Sequence, residues 1–397
     1  MGCSLKSTKY LNIRDPEVAS RVRTLVFKPG HIYHLLQQKL STPHGGDINS
    51  FTQMRGSDVG IVIARGPPKP KPYILPEAAV DSILELMGQL CLLRTLQIEI
   101  RGQEHWYLNN STIDFLAPGW EAFGSNLRSL QLKIPLEDLA RVLPSFPEHL
   151  GNLEGLSLSI ARALFTTDEI KIFRGILIPF INTHHRGLRS LSFDVADQNN
   201  ISPLLEALVP MPSLRCFKLK QPFVDEQSTN FTGLHHFFKV HRSYLTRFDL
   251  EIISTFTHHP VPYTFFTQGC FGGPLPRLVH LSIHLPHFPE QYAGGMLPYI
   301  HRFRSTLRSL KVSHYQWTSE NLRSLVEGFT SSRLLGELEV SILEFSPDLL
   351  STLAANLPNL EVLSLDFQKV LPEGQVESDS SRYPFGKFVP RVSYLSP

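Results

Sequence analysis

Apolar residues recur along this chain in one spacing, apolar-x-x-apolar-x-apolar, and the phrases "NLRSLQLKIP" from 126, "GLRSLSFDVA" from 187 and "TLRSLKVSHY" from 306 repeat it almost word for word. Aligned on that spacing, the first half contains Leu93/Leu96/Ile98, Leu127/Leu130/Leu132, Leu153/Leu156/Leu158, Leu188/Leu191/Phe193 and Leu214/Phe217/Leu219. The second half continues with Leu245/Phe248/Leu250, Leu278/Leu281/Ile283, Leu307/Leu310/Val312, Leu335/Leu338/Val340 and Leu360/Leu363/Leu365. Leu93 and Leu360 are 267 residues apart over nine steps, a mean period of about 30. Val22, Leu25 and Phe27 form an eleventh phrase near the N-terminus. The last three positions of each phrase alternate apolar, polar, apolar, the period of a short strand with one buried face.

Between the phrases the period changes to three or four. Val80, Ile83, Leu84, Met87 and Leu90 predict one helix, and Ile170, Phe173, Ile176, Leu177 and Phe180 another. Thr318 or Ser319 is placed to cap a helix whose apolar face carries Leu322, Leu325, Val326 and Phe329. Pro212, Pro276 and Pro358 stand two residues before a repeat's first leucine, where a ring that cannot continue a helix ends the crossover. Pro135, Pro222 and Pro286 stand just past a predicted strand, where a missing N–H is expected to stop pairing. A strand-helix unit of this size cannot bury its own apolar face, so the units are expected to stack into an α/β solenoid with parallel strands.

The array resembles a leucine-rich repeat protein of the ribonuclease-inhibitor-like type, and "LEVLSLDF" and "LRSLSFDV" resemble the irregular repeats that follow the F-box in many fungal F-box proteins. The resemblance covers roughly residues 78–368 and the outlying phrase at 22. It implies a horseshoe with parallel strands on the concave face and helices on the convex one. It also implies a role in substrate recognition within an F-box-type ubiquitin-ligase assembly. The family's ninth position takes Asn or Cys; here it holds Arg101, Pro135, Ala161, Ala196, Pro222, Ile253, Pro286, Tyr315, Leu343 and Gln368, so no asparagine ladder is expected there. Residues 1–21 lack the leucine-proline opening of an F-box, and binding of a Skp1-type adaptor by the chain as written is expected to be weak or absent.

Residues 1–40 read as an N-terminal segment holding the strand at 22–27, and 41–76 as a Pro/Gly-rich loop or insertion. Residues 77–369 hold the repeats, and 370–397 form a tail or cap. Pro67, Pro68, Pro70 and Pro72 read as a stiff exposed loop, with a polyproline ligand as the alternative. Gly2 and Cys3 invite comparison with an acylation site, although Lys6 stands where that pattern needs Ser or Thr.

Composition narrows the chemistry. The 38 basic and 36 acidic residues leave a formal charge of +2, which provides no net field to draw in nucleic acid. Cys3, Cys91, Cys216 and Cys270 form no CxxC pair, and no apolar run reaches the length of a transmembrane segment, so a cytoplasmic or nuclear setting is expected. Among the 17 histidines, the pairs His184/His185, His235/His236 and His258/His259 and the group His280, His284, His287 show no zinc-ligand spacing. His235, His236 and His241 are assigned to packing or surface around Phe237 and Phe238. No GxSxG, P-loop or dinucleotide fingerprint occurs, and neither an enzyme nor a cofactor is expected.

What remains is the polar side of the strands. The third, fifth and seventh positions of each repeat share one side of the strand, which bears Lys133, Asp194, Lys218, Lys220, Arg247, Asp249, Glu251, His280, His284, Lys311, Glu337 and Glu339. Mixed charges among small polar groups suit a protein partner. The expected function is therefore non-enzymatic protein binding by a monomer, with a structural scaffold or a phosphate or nucleic-acid binder as alternatives. Lys218, Lys220, Asp249 and Glu251 are expected to form one zwitterionic patch, with the two carboxylates presented to water.

Overall fold

The computed structural model describes residues 21–27, 88–100, 116–144, 146–161, 168–196, 200–223, 231–254, 265–285, 293–370 and 391–393. The expectations for Gly2/Cys3, the 41–76 segment, Val80 to Met87, His258/His259, Pro286, His287 and the tail, apart from Val370 and 391–393, fall outside them. The chain divides into two compact units: Met1–Ile134 with Asp138–Asn152, and Pro135–Glu137 with Leu153–Pro397.

In the first unit, β1 (Thr24–Phe27), β2 (Thr95–Glu99) and β3 (Ser129–Pro135) run parallel in chain order, with Leu25 opposite Leu96 and Leu96 opposite Leu130. Among the described residues its α-helices are α1 (Leu116–Phe123) and α2 (Leu139–Val142). In the second unit β4 (Gly155–Ala161), β5 (Ser190–Val195), β6 (Cys216–Phe223) and β7 (Arg247–Ser254) are followed by β8 (His280–His284), β9 (Ser309–Trp317), β10 (Glu337–Phe345) and β11 (Val362–Val370). Each pairs in parallel with the next. β12 (Arg391–Ser393) adds antiparallel to β11. The joining helices are α3 (Glu169–Ile172), α4 (Ile178–Thr183), α5 (Ser202–Glu206), α6 (Thr232–His241), α7 (Gly269–Gly272), α8 (Ala293–His301), α9 (Ser319–Glu327) and α10 (Pro347–Asn356). Each unit is thus an α/β assembly on an open parallel sheet, in a solenoid-like order.

Equivalent residues of the repeat face one another. The fourth position runs Leu156, Leu191, Phe217, Phe248, Leu281, Leu310, Leu338, Leu363 from strand to strand. A second regularity fixes the same register before each strand begins: the carbonyl of the second residue accepts the N–H groups of the second and third residues of the next repeat. Arg94 O takes Arg128 N and Ser129 N at 2.8 and 2.9 Å, and Gly336 O takes Glu361 N and Val362 N at 2.8 and 2.9 Å. The carbonyls of Arg23, Glu154, Arg189, Arg215, Thr246, Val279 and Arg308 do the same.

From Leu93 to Val340 the apolar positions of the repeats are buried as their spacing predicts, and Leu93, Leu130, Leu191, Leu245 and Leu310 have no exposed surface; Val22, Leu25, Leu360 and Leu363, at the two ends, are half-buried. Rings thicken the core of the second unit: Phe217 lies 6.3 Å from Phe193, 6.0 Å from Phe248 and 4.3 Å from Phe237 of α6. α6 approaches α5 so closely that a Cβ on Gly233 would collide with the Ser202 backbone, which leaves only glycine at that place. Thr318 caps α9 by accepting from Asn321 N, as predicted, and Ser346 and Asp168 cap α10 and α3 in the same way.

Three expectations need correction. The helix predicted from Ile170 is interrupted by a π turn over Phe173–Leu177, and Ile170 is 47% exposed while Ile181 is buried, because the wider turn shifts the apolar phase. Pro222 does not stop β6: pairing with β7 continues through Pro222 to Phe223. The ladder with β5 ends at Lys220, so Pro222 lies beyond it and its missing N–H interrupts no β5 pairing among the described residues. Nor are all the strands short. β9, β10 and β11 each span nine residues, and the β9–β10 register slips between Val340 and Ser341 around a bulge at Ser313, His314 and Tyr315.

Candidate functional site

Backbone alternation places the third, fifth and seventh residues of every repeat on the side away from the core, where they are half-buried or exposed from the second repeat onward. In β4 and β5 that side is made of Gly155, Ser157, Ser159, Ser190 and Ser192, ending at Asp194. From β6 onward it carries charge.

The charges are tied across the strands. In the first unit Lys133 reaches Glu99 at 3.8 Å. In the second, Lys220 bridges Asp194 at 3.9 Å and Glu251 at 3.1 Å, and Lys311 meets Glu339 at 2.6 Å; Lys369 and Glu344, 3.8 Å apart near the strand ends, share the alternation phase of Leu338 and Val340 and belong to the opposite side. Each of these pairs joins residues directly opposite in register, at the separation of about 4.8 Å set by adjacent strands. Arg247 instead folds along its own strand, and its Nε lies 3.2 and 3.0 Å from the two carboxylate oxygens of Asp249. Partial burial opposes the charge of Arg247, and Asp249 outweighs that effect, with smaller help from Cys216 and Glu337, so its pKa is pushed further up.

The four-residue patch expected from the sequence is therefore assembled differently. Asp249 is taken by Arg247 and Lys220 by two carboxylates, and Lys218, exposed, makes no ion pair among the described residues although Asp249 is its register partner. The carboxylates are not simply presented to water: the side chains of Asp249 and Glu251 are 16% and 27% exposed, held beneath the cations that pair with them. His280 is exposed at the start of β8, and Glu337 occupies the equivalent place in β10.

One cluster escaped the sequence reading. His284 sets its Nδ1 3.0 Å from Ser313 Oγ, and its ring centroid lies 4.0 Å from that of His314, the bulge residue at φ 63°. Burial first and His314 second pull the pKa of His284 down, against the pull of Glu251, and the lowering favours the neutral imidazole. No periodic rule places His314 beside His284, because the bulge breaks the alternation. Among the described residues no group of three His, Cys, Asp or Glu side chains gathers to hold a metal ion, and no helix among them is long and apolar enough to cross a membrane.

Searches of protein-family models and of curated proteins return no match to this chain.

A set of asparagines, also missed, braces the approach to the strands. Asn126, Asn152 and Asn359 each precede a repeat's first leucine and donate from Nδ2 to a carbonyl one repeat back, at Cys91, Ser125 and Arg333, over 2.8, 2.6 and 2.6 Å. The ninth position has no asparagine, but this earlier position supplies a rung of its own. The recurrence of "N-L" before three phrases was the available signal.

Proposed function

We propose that the chain is a non-enzymatic protein-binding module with the architecture of a leucine-rich repeat solenoid, whose polar strand side is the concave, partner-facing surface. The observation that carries this reading is the set of cross-strand ion pairs on that side. Exposed pairs stabilise a fold by only about 0 to 1 kcal/mol each, so a row of them contributes little to folding. What they do is hold charged groups in fixed positions before a partner arrives, which lowers the ordering cost of binding and sets register through complementary charge. Small residues on β4 and β5 leave room for a partner's backbone to come close. Lys218, without an ion pair among the described residues, is the cation on this face available to a partner's carboxylate.

Site-specific photocrosslinking in the native cell tests the proposal. A benzophenone side chain at Ser282, on the strand side, is expected to trap discrete protein partners, and one at the exposed Ser324 of α9 is not. Lys218→Glu is expected to leave the melting temperature unchanged while slowing capture of the trapped partner, more at low salt than at high. Crosslinks from Ser324 alone, with capture indifferent to Lys218→Glu, would make the strand side a structural surface.

A further inference from the structure

Away from the strand side, one face of α6 in the second unit carries His235, Phe238, Lys239 and Arg242, spaced three, four and seven residues from the first so that they line up. That face and the α7 segment enclose a cavity of about 280 Å³. Its floor is apolar, formed by Phe238 and Cys270, which are 6% and 4% exposed. Burial pushes the Cys270 thiol up to about 12, so it lines the cavity as a neutral group.

The rim is basic. Lys239 and Arg242 are exposed, and neither makes an ion pair among the described residues. His235 fixes its ring by placing Nδ1 2.9 Å from the Gly269 carbonyl. None of the described lining residues carries a carboxylate. At the helix end Phe238 O accepts Arg242 N at 2.8 Å, Phe237 O lies 2.8 Å from His241 Nδ1, and His241 O accepts Tyr244 N at 2.9 Å. Gly273 stands at the mouth in extended conformation, φ −81° and ψ 148°, and a Cβ there would meet nothing within 4 Å.

An apolar floor under two convergent cations is the composition of a small-ligand site, and the volume falls just below the range of about 300 to 1,000 Å³ that takes drug-sized molecules. We infer that this cavity binds a compact oxyanion on an apolar body, with an aromatic phosphate monoester as the best match. The ring lies against Phe238 and Cys270, and the phosphate oxygens accept charge-assisted hydrogen bonds from Lys239 and Arg242. The site belongs to the crossovers and does not depend on the protein-binding role proposed for the strands.

Calorimetric titration of the full chain with phenyl phosphate tests the inference, with inorganic phosphate and benzyl alcohol each supplying half of the chemistry. Phenyl phosphate is expected to bind about tenfold or more tighter than either half-ligand. Arg242→Gln and Gly273→Leu, which remove one cation and fill the mouth, are each expected to weaken it by about tenfold while melting like the parent, since one side chain is exposed and the other enters open space. Three results would overturn the assignment: no heat from phenyl phosphate at millimolar concentration, equal affinity for inorganic phosphate, or unchanged binding in both folded variants.

Discussion

From β4 to β11 the strands of the second unit keep equivalent residues opposite one another through Val340, beyond which the β9 bulge shifts the register, whereas the segments joining them range from four-residue α3 with its π turn to the ten-residue helices α6 and α10. The difference comes from what each must satisfy. A strand's donors and acceptors have to meet those of two neighbours, so a slip of one residue would turn every leucine outward. A crossover satisfies its own backbone and need only cover apolar surface, which many shapes can do. Repetition in the sequence therefore marks the places where hydrogen bonds leave no choice, and its loss marks places where packing alone decides.

The strand side of the comparison can be broken most severely. Leu130 is fully buried at the fourth position of β3, and Leu130→Asp is expected to cost several kcal/mol, roughly 3 to 5, and to unfold the first unit. Ser129→Asp, one residue away on the polar side, is expected to stay within about 0.5 kcal/mol. Chemical denaturation of the two variants gives the answer, and similar losses in both would mean the register is wrong.

The crossovers are expected to be acid-sensitive. His184 is buried against Phe180, ring centroids 5.0 Å apart, with no hydrogen-bond partner for Nε2 among the described residues, and burial pulls its pKa from 6.5 down to about 4. The folded value lies below the unfolded one, so between those pH values the unfolded chain holds the extra proton. Its contribution is fully present above pH 6.5 and is lost as the pH falls toward 4, by up to about 1.4 kcal/mol per pH unit. His241 of α6, fully buried and also shifted down by burial, adds in the same direction. Denaturant midpoints recorded from pH 7.5 to 4.5 should show a slope that His184→Leu reduces. An unchanged slope would place the acid-sensitive groups elsewhere.

Where crossover meets strand, the asparagine rung gives a smaller effect. Asn126→Ala is expected to lower stability by about 1 kcal/mol through loss of the bond to Cys91 O, and Gln131→Ala, exposed on the polar side of β3, by close to nothing. Smallest of all is the comparison within β6. Lys220→Met breaks two partly exposed ion pairs and is expected to cost no more than about 1 kcal/mol, and Lys218→Met should be silent in the same melting experiment.

These contrasts also explain what was legible in advance. The strand phrases could be read because position alone determines burial in a ladder, so Leu96, Phe217 and Leu338 were assignable from spacing. Thr318 could be read because an N-cap is a local matter of one side chain and the N–H three residues on. Ile170 and His314 could not: the π turn and the bulge each insert residues for reasons of fit to their neighbours, and afterwards the same periodic count points the wrong way. The ion-pair pattern was half legible. Register placed Lys218 opposite Asp249, but the choice of Arg247 by Asp249 depended on side-chain reach, which no spacing encodes.

The carbonyl that accepts two N–H groups from the following repeat makes every described junction within a unit present the same donors on one side and the same acceptor on the other. A segment cut out between two such junctions leaves ends that fit each other, and a duplicated one finds both its contacts already in place. The number of repeats is consequently free to drift over generations without redesign of the joints, so the length of the array carries little constraint of its own. Selection then acts chiefly on which side chains each added or lost strand brings to the polar surface.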